Sequence, residues 1–162
     1  VEIEVKIRVK SIEEFERKIS FATFHGEEEH TDTYFEMPKG ILLRVREIEQ
    51  GPAILGYKEI LDEKNTIFKE IEVEIDDGLK MKEILKRLGF RESAVIKKRR
   101  KIYRYKNIAM ELNEVENIGT FVDFEIISED EKSREKIFEL IRSLGYSEED
   151  VEDRLYVELA LR

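Results

Sequence analysis

The chain begins Val1-Glu2-Ile3-Glu4-Val5-Lys6-Ile7-Arg8-Val9-Lys10, and the reading of these ten residues decides the fold. Odd positions are β-branched aliphatics and even positions are charged. Side chains alternate between faces along a strand, so the pattern predicts a strand with one apolar face and one wholly ionic face. The ionic face is ordered, with carboxylates at Glu2 and Glu4 followed by cations at Lys6, Arg8 and Lys10. A single strand of this kind is an ordinary solvated surface. This chain repeats the design.

Downstream, Ser11 and Glu14 have the spacing of a capping box, and Ile12, Phe15, Ile19 and Ala22 follow helical spacing to about residue 22. Residues 23–31 read as a loop holding Gly26, His25 and His30, whose imidazoles are expected to be solvated. Strands follow at 31–36, at 41–47 with Arg44 and Arg46 on one face, and at 54–61 carrying Lys58. A further strand at 67–75 aligns Glu70, Glu72 and Glu74. A helix with Met81, Ile84, Leu85 and Leu88 closes at Gly89.

The second half repeats the theme. Residues 95–105 and 108–115 form a hairpin around Lys106-Asn107, and the run Lys97-Lys98-Arg99-Arg100 permits a one-residue slip that would exchange its inward pair. A strand at 121–127 puts Asp123 and Glu125 on one face, and a helix from about residue 129 carries Ile137, Leu140, Ile141 and Leu144. The alternation of Leu155, Val157, Leu159 and Leu161 predicts a last strand over 154–162. The apolar stripes of the three helices are core. Lys80, Lys82, Lys86 and Arg87 form a solvated helix face, and Tyr103 and Tyr105 pack outward if Lys98 and Arg100 point inward. No linker divides the chain, which reads as one domain over 1–162.

Hydrophobic residues make up 41% of the 162 and charged residues another 41%, which describes a globular but unusually ionic protein able to bury its own core. The absence of cysteine rules out a disulfide framework, a thiolate zinc site and a thiol nucleophile. A net charge of −9 argues against a non-specific nucleic-acid binder, but leaves room for a small polyanion that meets cations gathered in one place. With no apolar run of membrane-spanning length, the expectation is a soluble cytoplasmic protein, monomeric or homodimeric. Abundant Glu and Lys without Cys point to a thermophilic source.

Three amphipathic helices need apolar surface to cover, and the aliphatic strand faces provide it. The ionic faces must then look the other way, either to bulk water from an open sheet or into the lumen of a closed barrel. Closure removes exposed edges, and the segregated charges (Arg44 with Arg46, Glu70 with Glu72 and Glu74, Lys98 with Arg100) differ from the mixed pairing of a solvated sheet. Both observations favour an α+β fold in which a closed antiparallel β-barrel of about eight strands carries helices on its outside. A lumen of confined ions stays wet and awaits partners, a polyphosphate for the cations and a divalent metal for the carboxylates. No glycine-rich phosphate loop is present, so the cations must come from strand side chains.

Glu2-x-Glu4-x-Lys6 resembles the ExExK signature of the CYTH superfamily, the triphosphate tunnel metalloenzymes. Asp32-Thr33-Tyr34-Phe35, Leu43-Arg44-Val45-Arg46, Lys58, Lys98-x-Arg100 and the segment Glu114 to Glu125 resemble the family's later motifs, in order along essentially the whole chain. The branch that looks nearest is the class IV adenylyl cyclases. The resemblance implies a tunnel binding a triphosphate with Mg²⁺ or Mn²⁺. It implies that Glu2, Glu4, Asp123 and Glu125 hold metal, with acidic positions also matched at Glu70, Glu72 and Glu158. Lys6, Arg8, Arg44, Arg46, Lys58, Lys98 and Arg100 would serve the phosphates, and Tyr34 divides between tunnel lining and packing. Asn113 stands where an aspartate is frequent and Asp123 where a glutamate is usual, which bears on the activity more than on the fold. The expected activity is conversion of ATP to cyclic AMP and pyrophosphate. The alternatives are hydrolysis of thiamine triphosphate, inorganic triphosphate or a nucleotide, and non-catalytic binding of a polyphosphate or nucleotide.

Overall fold

In the computed structural model, which describes residues 1–161, the opening alternation forms β1 (Glu2–Arg8), with Ile3, Val5 and Ile7 buried on its apolar side. It pairs antiparallel with β8 (Gly119–Ile127) from Glu2↔Ile127 to Arg8↔Phe121. On its other side it meets β5 (Ile67–Ile75) only at Glu2↔Phe68 and Ile3↔Ile67. With β2 (Thr23–Phe35), β3 (Ile41–Ile48), β4 (Ala53–Ile60), β6 (Glu92–Tyr105) and β7 (Ile108–Val115), these strands close an antiparallel barrel in the order β1-β5-β4-β3-β2-β6-β7-β8. The expected architecture is the observed one.

The greasy faces look outward beneath the helices. Helices α1 (Ile12–Lys18) and α3 (Ser133–Ser143) lay Phe15, Ile137 and Ile141 against Ile3, Val5 and Ile7 of β1, Met110 and Leu112 of β7, and Val122 and Phe124 of β8. Burial of each such side chain is worth about 1.5–3 kcal/mol, so this layer is the main source of stability. Ser11 Oγ accepts the Glu14 N–H at 3.1 Å to start α1, as its spacing predicts. Helix α2 (Gly78–Arg87) sits over β3 and β4, where Leu85 meets Phe35 and Val45. Ile71 and Val73 on the outer face of β5 stay more than half exposed.

Four expectations are corrected. The apolar stripe of α2 is only partly core: Leu85 is buried, but Ile84 and Leu88 stay more than half exposed. Residues 23–31 are not a loop: they are the first two-thirds of β2, paired with β6 from Thr23↔Arg104 onward. Their run of Glu, His and Thr lacks apolar alternation because the outward Glu27 and Glu29 are matched to Arg99, and Gly26 accommodates a register shift with φ of 140°. The helix expected to reach residue 22 ends at Lys18, although Ile19 remains buried. The last segment is not a strand. Residues Tyr156–Ala160 form helix α4, with the Glu158 carboxylate accepting the Leu155 N–H at 3.1 Å. A short apolar alternation also satisfies helical spacing, and Leu155 and Leu159 stand one turn apart. The final residue of the expected strand, Arg162, lies outside the described residues.

Candidate active site

Period-two alternation sends the even-numbered side chains of β1, β3, β4, β5 and β6 inward, where they line a cavity of about 150 Å³. Four of its six cations come from β3 and β6, with Lys6 on β1 and Lys58 on β4. Asp32 on β2, fully buried, accepts Arg46 Nε at 2.8 Å, Arg46 Nη2 at 2.9 Å and Lys98 Nζ at 2.5 Å, and so fixes two cations at once. Those cations hold its carboxyl well below the usual range despite burial. Arg100 donates to Asn113 Oδ1 at 2.9 Å and pairs with Glu111 at 3.0 Å, while Arg44 pairs with Glu72 at 3.0 Å. A Cβ at Gly56 would come within 3.2 Å of Arg44 Nη2, so the missing side chain makes room for that guanidinium. Lys98 and Arg100 are buried and Lys97 and Arg99 exposed, which settles the register of the basic run.

Carboxylates gather on β1 and β8. Glu4 and Glu125 are directly opposed, and one oxygen from each of Glu2, Glu4 and Glu125 lies within 4.8 Å of the others. Burial, then repulsion by Glu4 and Glu125, pushes Glu2 up to about 10. Burial followed by Glu111 and Glu4 pushes Glu125 up to about 8. Glu4 goes the other way: against its own burial, Lys58 and the proton on Glu2 hold it at about 2. Glu2 and Glu125 thus hold a proton more readily than a free carboxyl does, and a divalent cation would take the place of that positive charge. Three hard oxygen donors this close together, with the Lys58 ammonium as the cation against Glu2 and Glu4, suit Mg²⁺ or Mn²⁺.

Thirteen of the expected residues line this cavity: Glu2, Glu4, Lys6, Tyr34, Arg44, Arg46, Lys58, Glu70, Glu72, Lys98, Arg100, Asp123 and Glu125. Two expected residues do not. Arg8, at the end of β1, points to Glu152 (Nη2–Oε1 2.5 Å), and Glu158 is exposed and caps α4. Arg8 is the last ladder residue of β1 and its guanidinium is held by Glu152, while Glu158 sits on α4 and not on a barrel strand. Within the cavity, Glu72 is engaged by Arg44. Asp123 is turned from the carboxylate cluster, its Oδ2 accepting Asn113 Nδ2 at 2.7 Å and the Tyr156 hydroxyl at 2.9 Å. Its Oδ1 is buried without a partner, and burial, then Glu4, raise the group to about 6.

Other residues at or beside the cavity were not among the expected site residues. Asp32 was visible in its motif but given no role, and Glu111 stood in plain alternation on β7. Tyr156 lay in a segment read as strand. His30, expected in solvent, is buried beside Arg46, Arg100 and Lys98, with Nε2 3.0 Å from Glu28 Oε1. Burial and then those cations push its imidazole down to about 2, so it is neutral. His25 is exposed, as expected.

A model of the CYTH domain matches residues 1–156. The chain belongs to the CYTH domain family. A protein of Methanocaldococcus jannaschii described as a candidate adenylate cyclase is 32% identical, with 98% of each chain covered. The structure of a Pyrococcus horikoshii protein is 48% identical and superposes with a TM-score of 0.95 over 98% of this chain and 99% of that one. A candidate adenylate cyclase of Vibrio parahaemolyticus, 23% identical, shares the fold with a TM-score of 0.84 over 99% and 98% of the two chains. This CYTH chain is thus related to the class IV adenylyl cyclase branch. Among its described residues no helix is long and apolar enough to cross a membrane.

Proposed function

We propose that this chain is a divalent-metal-dependent enzyme that cleaves a triphosphate compound in the barrel cavity, converting ATP to cyclic AMP and pyrophosphate. The observation that carries the reading is the division of one cavity into a carboxylate cluster (Glu2, Glu4, Glu125) and a bank of cations (Arg44, Arg46, Lys98, Arg100). The lining holds seven acids and six bases, so a polyanion is best accommodated together with a cation.

Glu2, Glu4 and Glu125 would hold Mg²⁺ or Mn²⁺, which when bound polarises a phosphoryl oxygen and activates the nucleophile. The cation bank grips the triphosphate, and its arginines neutralise charge developing on the phosphoryl oxygens. Asp32 keeps Arg46 and Lys98 in place for that task. Tyr34, Leu42, Leu155, Tyr156 and Val157 give one part of the lining an apolar and aromatic character suited to an organic group, and they limit water. Asp123 Oδ1, buried and unpartnered with its carboxyl near neutrality, is suited to accept the proton of the attacking hydroxyl. The relation to the Methanocaldococcus jannaschii protein supports the cyclase reading.

Hydrolysis is the second reading. A cavity of about 150 Å³ is smaller than the roughly 300 Å³ at which sites for whole drug-sized ligands begin, and it favours seating the phosphate chain with water as nucleophile. Purified protein with Mg²⁺ or Mn²⁺ should be offered ATP, thiamine triphosphate and tripolyphosphate while cyclic AMP, pyrophosphate and phosphate are followed. Cyclic AMP from ATP is the expected product, and phosphate from tripolyphosphate would shift the assignment to hydrolysis. Tight triphosphate binding without turnover would reduce the chain to a binder and defeat the enzymatic reading.

A further inference from the structure

Lys58 stands on β4 at the boundary between the two banks. Its neighbours across the ladders are Leu42 on β3 and Glu70 on β5, and Arg44 lies close enough to repel its charge. Its ammonium is 2.9 Å from Glu2 Oε1, 3.4 Å from Glu4 Oε2 and 3.5 Å from Glu70 Oε2, and it lies 4.5 Å from the centre of the Phe68 ring. Two of these carboxylates are the metal-cluster residues Glu2 and Glu4. The other cavity lysines are engaged elsewhere: Lys6 Nζ donates to the Arg154 carbonyl at 2.6 Å, and Lys98 is held by Asp32.

A divalent cation and an ammonium cannot both occupy one small group of carboxylates without strong repulsion. Lysine is a point charge on a flexible four-carbon stem and can turn to another anion when displaced. Resting on the functional reading above, we propose that Lys58 and the metal ion compete for Glu2 and Glu4, and that the displaced ammonium becomes a phosphate ligand. Metal and triphosphate then bind cooperatively through this one side chain, in addition to any direct metal–phosphate bond. The coupling is reciprocal: triphosphate drawing Lys58 away raises metal affinity by the factor by which metal raises triphosphate affinity.

The test is calorimetric and independent of turnover. Mn²⁺ binding is titrated with and without tripolyphosphate on the wild-type chain, Lys58→Met and Glu70→Gln, with a blank for Mn²⁺–tripolyphosphate complexation and a melting curve to verify folding. In Lys58→Met, Mn²⁺ affinity without tripolyphosphate should rise at least ~5-fold, and the enhancement produced by tripolyphosphate should fall at least ~10-fold. Glu70→Gln loosens the hold on Lys58 without touching the metal cluster, so its metal-free tripolyphosphate affinity should rise several-fold. Should Lys58→Met fail to fold, the Glu70→Gln result decides alone. Unchanged or weaker Mn²⁺ binding in Lys58→Met, with its cooperativity intact, overturns the proposal, as does an unchanged tripolyphosphate affinity in Glu70→Gln. A wild-type chain that binds neither Mn²⁺ nor tripolyphosphate brings down the functional reading itself, a pattern distinct from either.

Discussion

Asp32 is the residue on which the cation bank rests. It is wholly buried and satisfies Arg46 through two parallel bonds and Lys98 through a third. Asp32→Asn keeps the shape but leaves two buried cations without a countercharge, so unfolding free energy should fall by about 3–5 kcal/mol in a denaturant titration. A loss under 1 kcal/mol would mean that solvent reaches these cations and that Asp32 does not organise them. Glu125 makes the opposite case. Its pKa is raised from the ordinary 4.5 to about 8 by burial and by Glu111 and Glu4, so the folded state favours its protonated form. The associated stability is fully present below pH 4.5 and is lost as pH rises towards 8. The metal-free Glu125→Gln variant should therefore melt near the wild type at pH 4.5 and progressively above it towards pH 8. Mn²⁺ should reverse that order by stabilising the wild type alone. Melting curves that stay parallel across this window would show that Glu125 carries no excess proton.

At the scale of elements, legibility followed the contrast between faces. β1, β3 and β8 were plain from alternation, because each has aliphatic residues outside and ions inside. The order of barrel strands could not be read so directly, yet the outward greasy faces and three helices left few other arrangements. The lower part of β2 was hidden because both its faces are polar: Glu28 and His30 look inward, and Glu27 and Glu29 meet Arg99. Its pairing with β6 is a long-range fact that no local pattern announces. α4 was misread for the converse reason, since a few apolar residues fit period two and period four alike. Leu159, buried with Tyr34, Ile96, Val115 and Phe121, shows that tertiary packing made the choice. That error also concealed Tyr156 and, with it, the partner of Asp123. The carboxylate cluster and most of the cations were legible because their spacing along single strands is also their spacing in the lumen. Arg8 fell away because alternation tells which face a side chain takes, not how far along the barrel the lumen extends, and Glu158 because its segment is the helix α4.

For the whole molecule, the barrel closes at its thinnest place beside its chemistry. β1 and β5 share two residue pairs, supplemented by the Glu4 N–H donating to the Thr66 carbonyl at 2.8 Å. The turn that presents Thr66 is itself held by Asp62, whose Oδ1 accepts the Thr66 and Ile67 N–H groups and whose Oδ2 accepts the Thr66 hydroxyl. Arg134 of α3 donates to that same hydroxyl at 3.0 Å and so ties the seam to the outer layer. Glu2 and Glu4 lie on one side of the seam, and Lys58 and Glu70 lie on the other. Opening it would separate the ammonium from the carboxylates while leaving Glu4 opposite Glu125 on the intact β1–β8 ladder. Asp62→Ala removes three hydrogen bonds worth about 0.5–1.5 kcal/mol each, and most of that loss should fall on local opening. Hydrogen exchange of the Glu4 and Ile67 amides should then accelerate at least ~10-fold, while amides of the β6–β7 ladder keep their rates. Equal acceleration at both places would mean that the barrel opens only by unfolding as a unit, and the seam would then be as strong as any other pair of strands.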